Sequence, residues 1–224
     1  MAARLTNVNL RKAIIETCLE MNASGLNQGT SGNVSARVRG GMLITPSGIP
    51  YGDLAPDQIV FVRDDGRADG PWRPSSEWRM HRDIYTGRAK AGAVVHVHST
   101  MATALSCLRR GIPPFHYMVA VAGGTDVRCA DYKLFGTQAL SDAMLKALED
   151  RSACLLANHG QIAFAPTLGK ALWLAGEIET LAAQLVAASQ IGDPVILDDD
   201  AMAEVLAAFK DYGKQPSAKQ KAGA

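Results

Sequence analysis

The strongest constraint on the fold of this chain is the short apolar run Val94-Val95-His96-Val97-His98. Such a run reads as a buried strand. In an extended strand, residues two apart share a face, so His96 and His98 project together. Two neighbouring imidazoles can close on one metal ion if a third ligand arrives from elsewhere. The chain has five histidines, and His159 is the best placed of the remaining three. Cys154-Leu155-Leu156 leads into Asn158-His159-Gly160 as a buried strand ending in a turn. Three neutral imidazoles with an open coordination position make a catalytic zinc site, whereas four closed ligands make a structural one. The competing reading is a set of core histidines with satisfied hydrogen bonds. His-x-His in one apolar strand, with a second His-Gly at another strand end, favours the metal. Zinc is expected, since imidazole suits it and no thiolate lies nearby in sequence. His81 and His116 are read as structural.

A length of 224 residues fits one domain of ordinary size, and an apolar fraction of 47% supplies a sizeable core. A net charge of +1 gives no reason to expect nucleic acid or an anionic membrane surface as partner. Cys18, Cys107, Cys129 and Cys154 are scattered without a C-x-x-C pair, as expected of reduced thiols in the cytoplasm. No uninterrupted apolar run reaches the roughly 18 to 20 residues of a membrane span, and Met1–Glu16 lacks the apolar block of a secretory signal.

Periodicity and turn residues predict helices over 9–23, 77–88, 99–109, 137–149, 168–190 and 199–212. Strands are predicted over 34–38, 42–45, 58–63, 94–98, 153–157 and 162–164, the first two forming a hairpin about Gly40-Gly41. Ser75 or Ser76 is the expected N-cap of the second helix. The pattern implies a layered α/β (or α+β) domain with one central sheet. Residues 214–224, rich in Lys, Ala and Gln, read as a disordered tail.

Three loops are rich in Gly, Ser and Thr: Gly29–Asn33, Thr45–Gly48 and Pro74–Ser76. Each offers backbone N–H groups and hydroxyls that can bind an oxyanion without lysines, although any one of them alone is only a turn. No G-x-x-x-x-G-K-[ST] or strand-linked G-x-G-x-x-G is present, so nucleotide hydrolysis and dinucleotide binding are poorly supported. Glu77, directly after the serine pair, is a candidate for proton transfer or a simple first-turn partner of the helix dipole. Tyr117, in Phe115-His116-Tyr117-Met118, is a second candidate for proton transfer or a core or interface tyrosine.

In combination these motifs resemble the class II aldolase/adducin family. The resemblance is carried by Gly25–Thr30 with Gly32–Ser35, Gly41–Tyr51, Pro74–Arg79, Ala93–His98, His116–Met118 with Ala122–Gly124, Phe135–Thr137, His159-Gly160 and Lys170–Ala175, and ends at Phe209-Lys210 with Tyr212-Gly213. It covers nearly the whole chain, from about Lys12 to Gly213, and implies one domain over residues 1–213 with a mainly antiparallel sheet flanked by helices. It further implies that His96, His98 and His159 hold zinc, and that Glu77 is the acid/base, near or on the metal when no substrate is bound. Gly32, Asn33, Ser47, Gly48, Ser75 and Ser76 would bind a substrate phosphate, and Tyr117 would protonate or stabilise the leaving aldehyde oxygen. The implied assembly is a homotetramer with active sites between subunits, Phe135 and Tyr212 bordering the aldehyde side. The implied reaction is reversible cleavage of a ketose 1-phosphate, of the L-fuculose, 5-deoxyribulose or 5-methylthioribulose type, to dihydroxyacetone phosphate and a short aldehyde.

Other members would be a pentulose-5-phosphate 4-epimerase, which has aspartate where Glu77 stands, a methylthioribulose-1-phosphate dehydratase, or a non-catalytic adducin-like module with eroded ligands. In the sugar-phosphate aldolases of the family that this chain resembles, the pattern has threonine where Ser47 stands and a second histidine where Asn158 stands. Ser47 keeps the hydroxyl, while Asn158 differs.

Overall fold

A computed structural model describes residues 6–209. Helix α1 (Val8–Ala23) leads into the hairpin β1 (Asn33–Val38) and β2 (Gly41–Ile44), then β3 (Val60–Arg63) and a short β4 (Ala68–Asp69). Helix α2 (Trp78–Gly87) precedes β5 (Ala93–Val97) and α3 (Thr100–Cys107). After β6 (Cys129–Ala130) come α4 (Gln138–Ala147), β7 (Ala153–Leu156), β8 (Gly160–Ala165), α5 (Leu168–Ile191) and α6 (Asp199–Phe209). The strands form one sheet in the order β4-β3-β2-β1-β5-β8-β7-β6, antiparallel except for the β6–β7 pair. The layered domain expected from the pattern is therefore the observed one.

The run that dominates the sequence is the central strand, paired with β1 on one side and β8 on the other. Strand alternation divides its side chains between two cores. Val95 and Val97 pack with α1, α3 and α5 residues such as Ile14, Leu105 and Ile178. Val94 packs with Met80 and Ile84 of α2 and Leu140 and Met144 of α4. His96 follows Val94 by two residues and so faces the α2/α4 layer. Asn33 and Ser35 of β1 lie opposite His96 and Val94 in register.

Several expected boundaries shift. Neither Ser75 nor Ser76 caps α2. Glu77 holds the N-cap position with no side-chain cap, while Ser75 closes a preceding turn through Trp78 N–H to its carbonyl (3.1 Å) and Glu77 N–H to its hydroxyl (3.3 Å). Residues Pro56–Gln58 form a 3-10 turn, and the strand expected from Gln58 starts at Val60. Helix α3 begins after Ser99, with its Met101 and Ala102 N–H groups held by the Glu179 carboxylate of α5 (2.8 and 2.9 Å). Helix α5 is long and apolar enough to cross a membrane by length and composition alone, a test that a core helix also passes. Lys170, Glu177 and Glu179 interrupt the run without lowering its mean hydropathy far. Its Ala171, Ala175, Ile178 and Ala182 are core residues packed against the sheet. The cysteines are free, Cys18 and Cys154 being buried and Cys107 exposed. Tyr212 and the tail at 214–224 lie outside the described residues.

Gly160 opens β8 where the backbone passes against the histidine strand. A Cβ there would stand 2.5 Å from Val97 O and 3.0 Å from His98 Cδ2. Overpacking of this kind typically costs about 1–3 kcal/mol. Gly160→Ala is expected to lower the urea midpoint accordingly, and an unchanged midpoint would show that the strands separate freely here.

Candidate metal centre and active site

Four side chains from three places in the chain meet on the α2/α4 side of the sheet. His96 comes from β5 and His98 from the residue just past it. His159 sits in the tight β7–β8 turn, where Asn158 takes the left-handed conformation (φ 54°) that Asn tolerates. Glu77 enters from the N-terminus of α2. One donor atom from each lies within 4.8 Å of the others. The Nε2 atoms of His96 and His98 are 3.1 Å apart, and the three rings sit 4.8–4.9 Å from one another at steep mutual angles. Glu77 Oε2 is 3.0 Å from His96 Nε2, and Oε1 is 3.2 Å from His159 Nε2. Glu77 therefore turns its carboxylate to the imidazoles and does not cap its own helix.

The donors fit a divalent cation. His96 Nδ1 lies 2.8 Å from the Gln161 carbonyl, which only accepts, so Nδ1 carries the hydrogen. In the neutral ring, Nε2 then presents a lone pair to the cluster. Glu77 Oε1 is buried, and no hydrogen bond of good geometry reaches it, the nearby His159 nitrogen notwithstanding. An orphaned buried carboxylate oxygen beside converging imidazole nitrogens is the environment a cation would satisfy.

Electrostatics point the same way. Burial alone would raise the Glu77 pKa, but His96 and His159 outweigh it and hold the carboxyl far below the usual range. For His96, burial is outweighed by Glu77 and the Gln161 carbonyl, so its pKa is raised. Burial, then the neighbouring His96 and His159, lowers His98 to about 4. His81, fully buried behind the cluster, is lowered to about 3, by burial first and His96 second.

These directions predict an acid limb for the metal-free protein. A histidine whose folded pKa is lowered contributes stability above its unfolded value, near 6.5, that is lost as pH falls. The raised His96 contributes most below 6.5, and Glu77 only begins to lose its contribution below about 4.5. Between pH 6.5 and 4.5 the slope therefore belongs to His81 and, screened by its partial exposure, to His98. His81 accounts for up to about 1.4 kcal/mol per pH unit. Urea unfolding of His81→Gln should give a flatter limb by about that amount, and equal slopes would refute the assignment.

The three Gly/Ser/Thr loops meet beside this cluster. Thr45 N–H donates to Val34 O (3.1 Å) and Val34 N–H to Thr45 Oγ1 (3.3 Å). Ser75 N–H donates to Thr45 O (2.9 Å), and Ser47 N–H to Arg73 O (3.0 Å). Gly32 lies against the histidine strand, since a Cβ there would be 2.7 Å from His96 O. Ser47, Gly48 and Ser76 remain exposed, while Gly32 and Ser75 are buried. Asn33 differs from them. Its amide is engaged at both ends, Nδ2 with Glu77 Oε2 (3.0 Å) and Oδ1 with His81 Nε2 (2.5 Å). Phe135 is 61% exposed beside the loops, and a Cβ added at the neighbouring Gly136 would stand 2.9 Å from the Ser76 carbonyl oxygen. Tyr117 is 49% exposed and stacks on His116. Sequence reasoning left His81 as structural and did not single out Ser35 or Gln161. The available signal for His81 was its place four residues after Glu77, on the same helical face.

Residues 12–186 match the family model for the class II aldolase and adducin N-terminal domain. This chain belongs to the class II aldolase/adducin family. It is 50% identical over 208 residues to a 5-methylthioribulose-1-phosphate/5-deoxyribulose-1-phosphate aldolase of Rhodospirillum rubrum, covering 93% of this chain and 94% of that protein. It is 51% identical over 205 residues to the L-fuculose phosphate aldolase of Escherichia coli K12, covering 91% and 95%. A solved L-fuculose 1-phosphate aldolase aligns with a TM-score of 0.89 at 38% identity, over 93% of this chain and 100% of that one. Within the family this chain is a class II aldolase, as its named relatives are.

Proposed function

We propose that this aldolase cleaves a ketose 1-phosphate reversibly into dihydroxyacetone phosphate and a short aldehyde, using zinc held by His96, His98 and His159. The observation that carries the reading is the position of Glu77. It directly follows Ser75-Ser76 in sequence, yet its carboxylate stands 3.0 and 3.2 Å from two imidazole nitrogens of the cluster. A substrate phosphate seated in the serine loops would thus place its adjoining carbons next to a carboxylate and a cation. Zinc, when bound, supplies Lewis-acid stabilisation of the charge that carbon–carbon cleavage leaves on the ketone side.

The chain's own residues do the rest. The hydroxyls of Ser47, Ser75 and Ser76 and the backbone N–H groups of Gly32, Gly48 and Ser76, with Asn33 at their inner edge, supply remote binding energy that orients the reacting carbons. Glu77 moves a proton at the carbon that is nucleophilic in the synthetic direction. Tyr117 gives a proton to the aldehyde oxygen across a subunit boundary, in a four-fold tetramer that accounts for its exposure. Phe135 borders the aldehyde side of that composite site. No Schiff-base lysine is required.

The relatives' names carry two kinds of aldehyde half, which calls for a direct comparison. Release of dihydroxyacetone phosphate is to be measured side by side on L-fuculose 1-phosphate, 5-deoxyribulose 1-phosphate and its methylthio analogue. At least one is expected to turn over, to stop after chelation and to resume with added zinc. Undiminished release in excess chelator would overturn the reading.

A further inference from the structure

Behind Glu77 runs a buried chain of polar groups whose donor order is fixed by chemistry. A carboxylate only accepts, so the Asn33 atom 3.0 Å from Glu77 Oε2 is the amide nitrogen. The amide oxygen then faces His81 Nε2 at 2.5 Å, and since it too only accepts, Nε2 carries the ring hydrogen. Burial keeps the His81 ring neutral, which leaves Nδ1 as an acceptor. The Ser35 hydroxyl, 2.7 Å away, donates to it and accepts in turn from Tyr85 O–H at 2.8 Å. All four residues are buried. Turning the amide over would set its oxygen against the Glu77 carboxylate, two acceptors with no hydrogen between them.

We propose that His81 is a positioning residue for the reaction: its Nε2–H holds the Asn33 amide with the NH2 group toward Glu77, which fixes the carboxylate facing the imidazole cluster. Ser35 and Tyr85 select the His81 tautomer that makes this possible. The layout follows from the fold. Asn33 and Ser35 are two apart on β1 and share a face, while Glu77 and His81 are four apart at the start of α2 and share another. The two pairs interlock where α2 lies on β1. A merely structural network would stabilise the core without affecting proton transfer. This inference rests on the reading of Glu77 as the proton-transfer group, so the test separates the two.

The experiment compares His81→Leu, which removes the donor, with His81→Gln, whose amide N–H can take its place, at saturating zinc. Two reactions are followed: cleavage of the preferred ketose phosphate, and deuterium exchange from solvent into dihydroxyacetone phosphate without aldehyde. In His81→Leu, kcat and exchange are expected to fall together by about 10- to 100-fold, the range seen when partners of a catalytic ligand are removed. KM should change less than kcat, because Ser47, Ser75 and Ser76 are untouched and only Asn33 of the phosphate-binding group loses a partner, and His81→Gln should restore most of the rate. The 15N spectrum of the wild-type protein provides a readout independent of activity and of the variants' folding, and should show the Nε2–H tautomer of His81. Hydrogen on Nδ1, or a His81→Leu protein that loses only thermal stability while kcat and exchange hold, overturns the proposal. Glu77→Gln is the control. Exchange that persists in it sinks the Glu77 reading itself, whereas exchange lost in it but retained in His81→Leu sinks only the role of His81.

Discussion

Glu77→Gln is expected to lower kcat by about 10²–10⁴-fold, the usual contribution of a positioned acid/base group, while the protein keeps its metal. The substitution preserves the shape of the side chain and its contact with Asn33, and it leaves the three imidazoles in place. It removes the carboxylate's capacity to take a proton. In the wild type that carboxylate is kept ionised by the facing His96 and His159 despite its burial, so it stands ready as a base at neutral pH. Metal analysis beside steady-state kinetics decides the matter. A variant with full metal and little activity supports Glu77 in proton transfer. A variant with full metal and full activity would remove Glu77 from the chemistry and leave it a spectator ligand.

How much of this was legible in the chain depends on the range of the interaction concerned. The central strand and its two histidines could be read directly, since a period of two is a local property and β5 is buried on both faces. His159 was readable for a related reason: a short apolar strand followed by Asn-His-Gly marks a turn that aims one side chain off the sheet end. Glu77 proved harder. Its neighbours Ser75 and Ser76 have the chemistry of helix caps, but the turn they form is spent on joining the Thr45 loop, so the helix starts later and Glu77 is freed to face inward. The convergence of the three oxyanion loops was not visible as a fact, because it depends on pairing between residues 34, 45 and 75 that no local pattern encodes. His81 was read only as structural, since its hydrogen-bonding partners are not near it in sequence. Its partners Asn33 and Ser35 sit 48 and 46 residues away, and only the packing of α2 on β1 brings them to its two ring nitrogens. The exposure of Tyr117 and Phe135 was likewise invisible in their apolar sequence setting, which suited a core as well as a boundary.

Zinc is expected to stabilise the fold strongly and in a pH-dependent way. The cluster joins strands β5 and β8 and the start of α2, elements far apart in sequence, so an ion bound there binds the folded chain and not the unfolded one. At a free concentration 1,000 times its dissociation constant, such a ligand adds about 4.1 kcal/mol. For a domain of this size that corresponds to a rise in Tm of roughly 8–16 °C. The imidazoles must be neutral to ligate, so protons compete with the ion, and the gain should shrink as pH falls toward 5 and below. Thermal melts with and without zinc at pH 8, 6.5 and 5 make the comparison. His159→Ala should blunt the shift at every pH, because it withdraws the ligand that ties the β7–β8 turn to the others. A Tm that ignores zinc at pH 8 would mean that the four groups, though gathered within 4.8 Å, do not share an ion.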